Sequence, residues 1–190
     1  MIFNEYQVNV WERLLRAKSN NRVGSAYLFT GPRGCGKEWC AIEFSKLLNC
    51  ENPSDTSCDR CQSCAKFGGL QHPNLKLIVP LPGSDKSTQS TNPLDSLKKE
   101  DLEYLIEAIA QKGTSPFYKI KVPGARRITI NSIRDLRKSI YLKSQSGGRK
   151  VVLIFDAHFL SEGIGESANA LLKILEEPPP ETTLILVSDK

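Results

Sequence analysis

Short apolar runs alternate along this chain with longer stretches in which apolar residues recur every three or four positions. Runs of about four to eight apolar residues are typical of buried strands, and the wider spacing is typical of amphipathic helices. The predicted strands cover 25–30, 75–79, 128–130, 150–156 and 182–188, and the predicted helices cover 5–18, 39–48, 93–112, 133–141 and 167–175. Strands that alternate with helices predict an α/β fold in which helices flank a parallel sheet.

A glycine-rich turn joins the first predicted strand to the second predicted helix. Its residues are Gly31, Pro32, Arg33, Gly34, Cys35, Gly36 and Lys37. Strand, glycine turn and helix occur in the order of a phosphate-binding loop, in which backbone N–H groups converge on phosphate oxygens. Lys37 would then reach the outer phosphates as a point charge. The alternative is a turn at a strand–helix junction that binds no ligand.

Two positions depart from the pattern of an active phosphate-loop enzyme. Glu38 stands where a Ser or Thr would ligate Mg²⁺, and a carboxylate beside a triphosphate adds repulsion on the order of 1–4 kcal/mol at about 4 Å. Asp156 ends the predicted strand 150–156, where it would be available to the Mg²⁺ sphere. Ala157 follows, at the place of the Glu that activates water in hydrolytic enzymes. We therefore expect weak or absent binding of ATP and Mg²⁺, and no hydrolysis.

Four of the six cysteines form a C-x7-C-x2-C-x2-C array, at Cys50, Cys58, Cys61 and Cys64. Two-residue gaps allow neighbouring thiolates to turn onto one ion, and four sulfurs complete the tetrahedral shell of Zn²⁺. Because no coordination position stays open, the predicted metal is structural and not catalytic. The alternative is four free surface thiols. The remaining cysteines, Cys35 and Cys40, are expected at small apolar positions, and His72 is expected in a turn.

The stretch that follows the second predicted strand shows no chemistry. Residues 80–93 are rich in Pro, Gly, Ser, Thr and Asn, and they predict a loop or a partly disordered segment. Gly113 is expected to end the helix that comes next. Residues 116–123 are bounded by prolines and predict an extended edge segment.

One predicted helix, capped by Asn131 or Ser132, carries basic residues on its polar face. These are Arg134, Arg137, Lys138 and Lys143, with Arg149 and Lys150 soon after. Such a face often contacts only solvent. The more specific interpretation is that it contacts a nucleic-acid backbone. Arg134, Arg137 and Lys138 are therefore candidate DNA contacts.

The composition sets outer limits on these interpretations. The chain has 190 residues, of which 39% are hydrophobic and 25% are charged, enough for one mid-sized domain with a small appended module. A formal net charge of +5 permits a nucleic-acid partner without demanding one. The sequence shows no signal peptide and no membrane span, so we expect a cytoplasmic protein that uses its cysteines for metal or as reduced thiols. A predicted core strand at the extreme C-terminus suggests a fragment of a larger protein.

Together these motifs resemble the AAA+ module of bacterial clamp-loader subunits of DNA polymerase III, the gamma/tau and delta-prime subunits. The resemblance is carried by the residues 25–37, the four-cysteine array, Ile130-Asn131-Ser132-Ile133-Arg134 and, most specifically, the run Asn-Ala-Leu-Leu-Lys-x-Leu-Glu-Glu-Pro-Pro at 169–179. It implies a P-loop NTPase fold of the AAA+, RecA-like kind over 1–190, with a zinc module at 49–66. The stretch 80–125 interrupts the match and is expected to be an insertion. Lid and collar domains, which assemble the ring in this family, are expected beyond 190.

The resemblance also implies a function. Motor subunits of the family have Thr or Ser at the position of Glu38 and Glu at the position of Ala157, whereas the delta-prime subunit has degenerate nucleotide motifs and acts as a rigid stator. The implied partners are the gamma/tau and delta subunits, the sliding clamp and primer–template DNA, within a polymerase holoenzyme. Two alternatives stay open: an active gamma/tau-type ATPase with an unusual site, and a zinc-stabilised DNA-binding module unrelated to replication.

Overall fold

A four-stranded parallel sheet forms the centre of the computed structural model, which describes residues 7–83, 92–142 and 147–190. The strands are β1 (Ala26–Thr30), β2 (Leu75–Ile78), β3 (Leu81–Pro82), β4 (Ala125–Arg127), β5 (Lys150–Ile154) and β6 (Thr182–Ser188). The parallel sheet has the order β1-β6-β5-β2, and β3 and β4 form a separate antiparallel pair. The predicted α/β fold with a parallel sheet is therefore confirmed.

Six α-helices surround the sheet in the described part of the chain. They are α1 (Val8–Ser19), α2 (Lys37–Asn49), α3 (Gln62–Gly68), α4 (Lys99–Thr114), α5 (Ile130–Ile140) and α6 (Glu166–Glu176). Two short 3-10 helices lie at Pro93–Ser96 and Ala157–Leu160. Within these described ranges, no helix combines the length and the apolar character needed to cross a membrane.

The sheet has a separate hydrophobic core on each face. Along β5, Val151 and Leu153 pack into one core and Val152 and Ile154 into the other, because successive side chains of a strand point to opposite faces. The first core contains buried residues of α1, α2 and α4, and the second contains those of α5 and α6. Burial on both faces explains why the strand sequence is continuously apolar.

The carboxyl ends of β1, β5 and β6 lie at the same edge of the sheet, since these three strands are parallel and neighbouring. The glycine loop follows β1, Asp156 follows β5 and Asp189 follows β6. Loops at the carboxyl edge of a parallel sheet are the usual place for ligand sites. The topology therefore gathers these three segments into one cleft.

The start of α5 differs from the prediction. The strand predicted at 128–130 is wrong, because the strand β4 ends at Arg127 and Ile130 already belongs to the helix. Neither Asn131 nor Ser132 caps α5. The cap is Thr129, whose side-chain oxygen accepts a hydrogen bond from the backbone N–H of Ser132 at 3.3 Å.

Two predictions for the stretch 80–125 are also wrong. Residues 116–123 were predicted to be an extended segment at the sheet edge. They form no strand and belong to neither sheet. Gly113 does not end its helix, because α4 continues to Thr114. A Cβ atom at Gly113 would lie 3.0 Å from the carbonyl oxygen of Gly68, so this glycine allows α4 to approach the end of α3 closely. Residues 84–91, also predicted as loop, lie outside the described residues.

We expect Gly113→Ala to lower the free energy of unfolding by about 1–3 kcal/mol, because the added methyl group overpacks the contact with Gly68. Gly68→Ala is the matched control, since a Cβ atom there meets no atom within 4 Å. Alanine favours a helix over glycine by about 1 kcal/mol, so Gly68→Ala should be neutral or stabilising. Equal effects of the two substitutions in urea denaturation would contradict the close approach.

Candidate functional site

The glycine loop has the backbone shape that its sequence predicts. Gly34 and Gly36 adopt positive φ angles of 80° and 84°, which glycine reaches without steric cost. The chain turns sharply after β1, and α2 begins at Lys37 directly behind the turn. The loop therefore presents the N-terminus of α2 at the carboxyl edge of the sheet.

The amine of Lys37 is already engaged by groups of the chain itself. Its Nζ donates hydrogen bonds to the carbonyl oxygens of Gly31 and Pro32, each at 2.7 Å. It also lies 3.0 Å from one carboxylate oxygen of Asp189. The other oxygen of Asp189 lies 3.3 Å from the exposed side chain of Arg33. An ammonium group has three N–H donors, so the amine of Lys37 is saturated without a phosphate.

Glu38 is buried and neutralised, whereas the sequence suggested an acid that would repel phosphate. Its side chain is 10% exposed, and its two carboxylate oxygens bind two different lysines. Lys112 Nζ lies 2.6 Å from one oxygen, and Lys119 Nζ lies 2.9 Å from the other. Both lysines belong to the stretch 80–125, for which the sequence showed no chemistry.

Lys112 is the more buried of the two lysines, with 1% of its side chain exposed. Besides Glu38, its Nζ donates to the carbonyl oxygens of Pro116 at 2.8 Å and Tyr118 at 2.7 Å. Burial lowers the pKa of Lys112 below its ordinary value, and the charge of Glu38 only partly opposes this effect. The three acceptors satisfy all three donors, which is the condition for burying an ammonium group.

Lys119 connects the carboxylates of three chain segments. Its Nζ lies 2.6 Å from Asp156, 2.9 Å from Glu38 and 3.7 Å from Asp189. Burial acts to lower the pKa of Lys119, but the hydrogen bond to Asp156 and the charge of Glu38 outweigh it and raise that pKa. Lys119 therefore remains a cation at the centre of the cleft.

The cleft contains no carboxylate at the position after Asp156. Ala157 is buried against the second core, in the 3-10 helix that follows β5. The Nδ1 atom of the next residue, His158, lies 3.5 Å from the hydroxyl of Ser188. The position at which hydrolytic relatives of this fold carry a water-activating Glu therefore offers no proton acceptor.

The sequence predicted one part of this site and missed another. The structure brings Arg33, Gly34, Gly36 and Lys37 of the glycine loop together with Asp156 around one cavity. It adds Lys112, Lys119 and Asp189, which no local pattern marked. Buried lysines are rare, but burial at these positions depends on contacts with distant residues and leaves no local signal.

Asp189 gives a pH prediction. Burial acts to raise the pKa of its carboxyl, but the hydrogen bond from Lys37 and nearby positive charges hold that pKa below the ordinary value. The stabilising contribution of Asp189 is therefore complete above about pH 4, the unfolded-state value, and is lost as pH falls through the folded-state pKa. Below about pH 4, we expect the unfolding free energy of Asp189→Asn to fall less steeply with decreasing pH than that of the unchanged protein. The difference between the two slopes should correspond to at most one bound proton. Identical pH profiles of the unfolding free energy would contradict the pairing.

The four cysteines of the array converge on one point. Their sulfur atoms all lie within 4.8 Å of one another, and the separation between Cys58 and Cys64 is 4.0 Å. Zinc–sulfur bonds of about 2.3 Å require sulfur atoms about 3.8 Å apart in a tetrahedron. The array therefore has the ligand set and nearly the spacing of a four-thiolate metal site.

Backbone N–H groups already point at these sulfur atoms. The sulfur of Cys50 accepts from the N–H of Cys58 at 3.3 Å, and those of Cys58 and Cys61 accept from the N–H groups three residues later at 3.4 Å. Hydrogen bonds from the N–H groups of Arg60 and Cys61 lower the pKa of the Cys58 thiol to about 6. Thiolates are the form that binds metal, and the N–H groups that point at the sulfur atoms favour that form, whereas burial raises the pKa of the Cys50 and Cys64 thiols.

Side chains around the cysteines anchor their loop to the rest of the fold. The indole N–H of Trp11 donates to the carbonyl oxygen of Asp55 at 2.9 Å, and Lys46 of α2 pairs with Asp59. His72 lies in a turn, as predicted, where its Nδ1 accepts from the N–H of Asn74 at 3.0 Å. It is also buried and stacks on Phe67 with the ring centroids 4.1 Å apart.

The basic residues of α5 form an exposed face. Arg134, Arg137 and Lys138 are exposed, and together with Tyr141 they line a shallow groove. A neighbouring groove between α5 and α6 adds Lys173, which the sequence interpretation did not single out.

The other basic residues near α5 do not belong to this face. Arg149 bonds to Thr183 and Glu181, and Lys150 donates to the carbonyl oxygen of Ile140 at 2.9 Å, at the end of α5. Lys143 lies outside the described residues. Among the described residues, the candidate nucleic-acid surface therefore consists of exposed side chains of α5 and α6.

Comparison with known proteins gives consistent matches over nearly the whole chain. Residues 6–190 match the family described as "DNA polymerase III, delta subunit". The chain is 28% identical over 183 residues to DNA polymerase III subunit tau of Bacillus subtilis, which covers 96% of this chain and 24% of that protein. It is 28% identical over 181 residues to subunit delta' of Pseudomonas aeruginosa, covering 94% of this chain and 42% of the relative. With subunit delta' of Bacillus subtilis the identity is 25% over 187 residues, covering 98% and 43%. The chain thus spans less than half the length of each of these relatives.

Proposed function

The chain belongs to the DNA polymerase III delta-subunit family, and we propose that it is a delta-prime-like subunit of a clamp loader. In this role it acts in the cytoplasm, within a ring of gamma/tau and delta subunits that loads the sliding clamp onto primed DNA. It contributes structure and contacts to that complex and does not hydrolyse ATP. The family match over 6–190 and the similarity to two delta-prime subunits support this proposal.

The observation that carries the proposal is the state of the phosphate-loop cleft. At the position of the Mg²⁺-binding hydroxyl stands Glu38, whose carboxylate is held by Lys112 and Lys119 at 2.6 and 2.9 Å. At the position of the water-activating carboxylate stands Ala157. Each missing catalytic group is expected to cost about 10²-fold or more in rate. A subunit of this kind fits a static role beside active motor subunits.

The residues of the cleft suggest how such a subunit works without turnover. Lys37 holds two carbonyl groups of the glycine loop, and Asp189 joins the end of β6 to the same amine. The loop is thus cross-linked to the sheet by the chain's own charges. A subunit fixed in this way keeps one shape while its neighbours bind and release nucleotide.

We also propose that Cys50, Cys58, Cys61 and Cys64 hold a structural Zn²⁺. The spacing of their sulfur atoms and the N–H groups that point at them support this assignment. When bound, the ion would join the end of α2 to α3 through four thiolates. With all four positions taken by protein, it would have no role in catalysis.

Reconstitution of the clamp loader tests the proposed function. The protein should join purified gamma/tau and delta subunits in one complex on size-exclusion chromatography, and this complex should load the clamp onto primed DNA. This chain alone should show no ATP turnover, because the motor subunits supply the hydrolysis. Failure to join the complex would overturn the proposal. ATP turnover by this chain alone that disappears in Lys37→Ala would favour the motor instead.

The exposed face of α5 gives a prediction about DNA. We expect Arg134→Ala and Arg137→Ala each to weaken binding of the reconstituted complex to primed DNA, independently of sequence. Each should reduce the slope of log K against log salt by about 1, as for the loss of one phosphate contact. Lys66→Ala, an exposed lysine of α3, is the matched control and should leave the slope unchanged. Equal slopes for all variants would show that α5 is merely solvated.

A further inference from the structure

The stretch that interrupts the family pattern, 92–125 in the described part of the chain, sends Lys112 and Lys119 into the phosphate-loop cleft. We propose that this stretch closes the site to Mg²⁺–nucleoside triphosphate, because the chain supplies its own cation and its own anion there. The ammonium of Lys119 takes the place of the metal ion. The carboxylate of Asp189 takes the place of a phosphate oxygen on Lys37.

The cation side rests on the position of Lys119. Its Nζ lies between Glu38 and Asp156, at 2.9 and 2.6 Å. In phosphate-loop enzymes the side chains at these two positions, one after the loop lysine and one after a core strand, are those that hold Mg²⁺. A lysine between them neutralises the same pair of groups. A metal ion entering there would have to displace Lys119 or bear its repulsion at close range.

The anion side rests on Asp189. One of its carboxylate oxygens lies 3.0 Å from Lys37 Nζ, and the other lies 3.3 Å from Arg33 and 3.7 Å from Lys119. Lys37 is the residue that would bind the outer phosphates of a nucleotide. Phosphate can reach it only after the carboxylate has moved away. The chain thus fills the two charged positions of the ligand with groups from two distant segments.

Lys112 holds Glu38 and the segment before Lys119 in this arrangement. It bonds to Glu38 and to two backbone carbonyl groups of the segment that follows α4, and it is 1% exposed. Glu38 is therefore tied to the inserted stretch and cannot turn towards a metal without leaving a buried ammonium unpaired. The path from α4 to Lys119 is fixed by the same bonds, because Pro116 and Tyr118 lie just before Lys119.

The space that remains above the loop is only slightly below the usual size of a small-molecule site. The cleft keeps a cavity of about 270 Å³, lined by Trp39, Phe117 and Phe159 besides the charged groups. Small-molecule sites usually offer about 300–1,000 Å³. With Lys119 and Asp189 in place, neither the metal position nor the amine of Lys37 is open to a ligand.

This inference goes beyond the proposed function and does not depend on it. A subunit can join a clamp loader with an open or with a closed nucleotide site. Assembly tests the proposed function, and metal and nucleotide binding test the closure, so failure of one is distinguishable from failure of the other.

The first test uses Mn²⁺ alone as the probe, detected by electron paramagnetic resonance. Lys119→Met frees the facing oxygens of Glu38 and Asp156, and since this side chain is 38% exposed the variant should fold. We expect it to bind Mn²⁺ at least about tenfold more tightly than the unchanged protein. Lys121→Met is the matched control, because Lys121 lines the same cavity but is exposed and pairs with none of the three cleft carboxylates described. Equal Mn²⁺ binding by the unchanged protein and Lys119→Met would overturn the inference.

The second test uses fluorescently labelled ATP with and without Mg²⁺. The unchanged protein and Lys121→Met should show no Mg²⁺-dependent binding. The variant Glu38→Thr/Lys112→Met/Lys119→Met/Asp189→Asn restores a hydroxyl and removes both the internal cations and the carboxylate on Lys37, and it should gain Mg²⁺-dependent binding. Circular dichroism checks whether this variant folds. If it does not fold, the Mn²⁺ binding of Lys119→Met is the deciding measurement. Tight Mg²⁺-dependent ATP binding by the unchanged protein would overturn the inference.

Discussion

Glu38→Ala should lower the free energy of unfolding by about 3–5 kcal/mol, one of the largest effects we expect from a single substitution. The cause is the loss of the carboxylate that pairs with Lys112, whose ammonium would stay buried with one donor unsatisfied. Surface glutamates rarely matter to this degree, because water compensates for the lost partner. Equilibrium denaturation in urea measures the effect.

Two further variants separate the ion pair from simple truncation. Lys112→Met should destabilise the protein by a similar amount, and Glu38→Met/Lys112→Met should cost less than the sum of the two changes, because no buried charge is then left alone. Glu103→Ala is the control, since its pair with Lys99 at 3.7 Å is exposed and should contribute less than about 0.5 kcal/mol. Additive effects of the two cleft substitutions would contradict the pairing.

Cys64→Ser should abolish the binding of one Zn²⁺ per chain and lower the stability of the folded protein. Cys64 is the buried member of the array, and a three-thiolate site leaves one coordination position incomplete. At a free zinc concentration about a thousand times the Kd, the bound ion contributes about 4 kcal/mol to folding. Metal analysis by atomic absorption gives the stoichiometry, and thermal unfolding with and without a chelator gives the stability.

The matched control for the metal is Cys40→Ala. Cys40 is also buried, but it lies on α2 in the first core and outside the array. This variant should retain its zinc and its response to the chelator. A full zinc content in Cys64→Ser, or the same unfolding temperature with and without chelator in the unchanged protein, would contradict the assignment.

The features that the sequence predicted are those written in local patterns. The continuous apolar run at 150–156 predicted a buried strand, and the glycines at 31, 34 and 36 predicted the turn. The array of Cys50, Cys58, Cys61 and Cys64 depends only on short spacings within one loop. Such patterns are set by neighbours in the chain, so they can be recognised without the fold.

The features that the sequence did not reveal depend on distant contacts. Lys112 and Glu38 are 74 positions apart, and nothing in the residues around Lys112 separates it from an ordinary lysine at a helix end. A glycine at position 113 is typical of a helix terminus. In the fold, its lack of a side chain allows the backbone of Gly68 to approach closely. Glu38 looked like an isolated defect because its two lysine partners lie in a stretch with no recognisable motif. The charge balance of the cleft therefore became visible only in three dimensions.

A crystal structure of the protein grown with an excess of Mg²⁺ and a non-hydrolysable ATP analogue tests the closed site most directly. We expect Lys119 Nζ to remain between Glu38 and Asp156, with Asp189 on Lys37 and no nucleotide in the cleft. Density for Mg²⁺ between the two carboxylates, with phosphate on Lys37 and Asp189 displaced, would contradict a subunit that works without nucleotide.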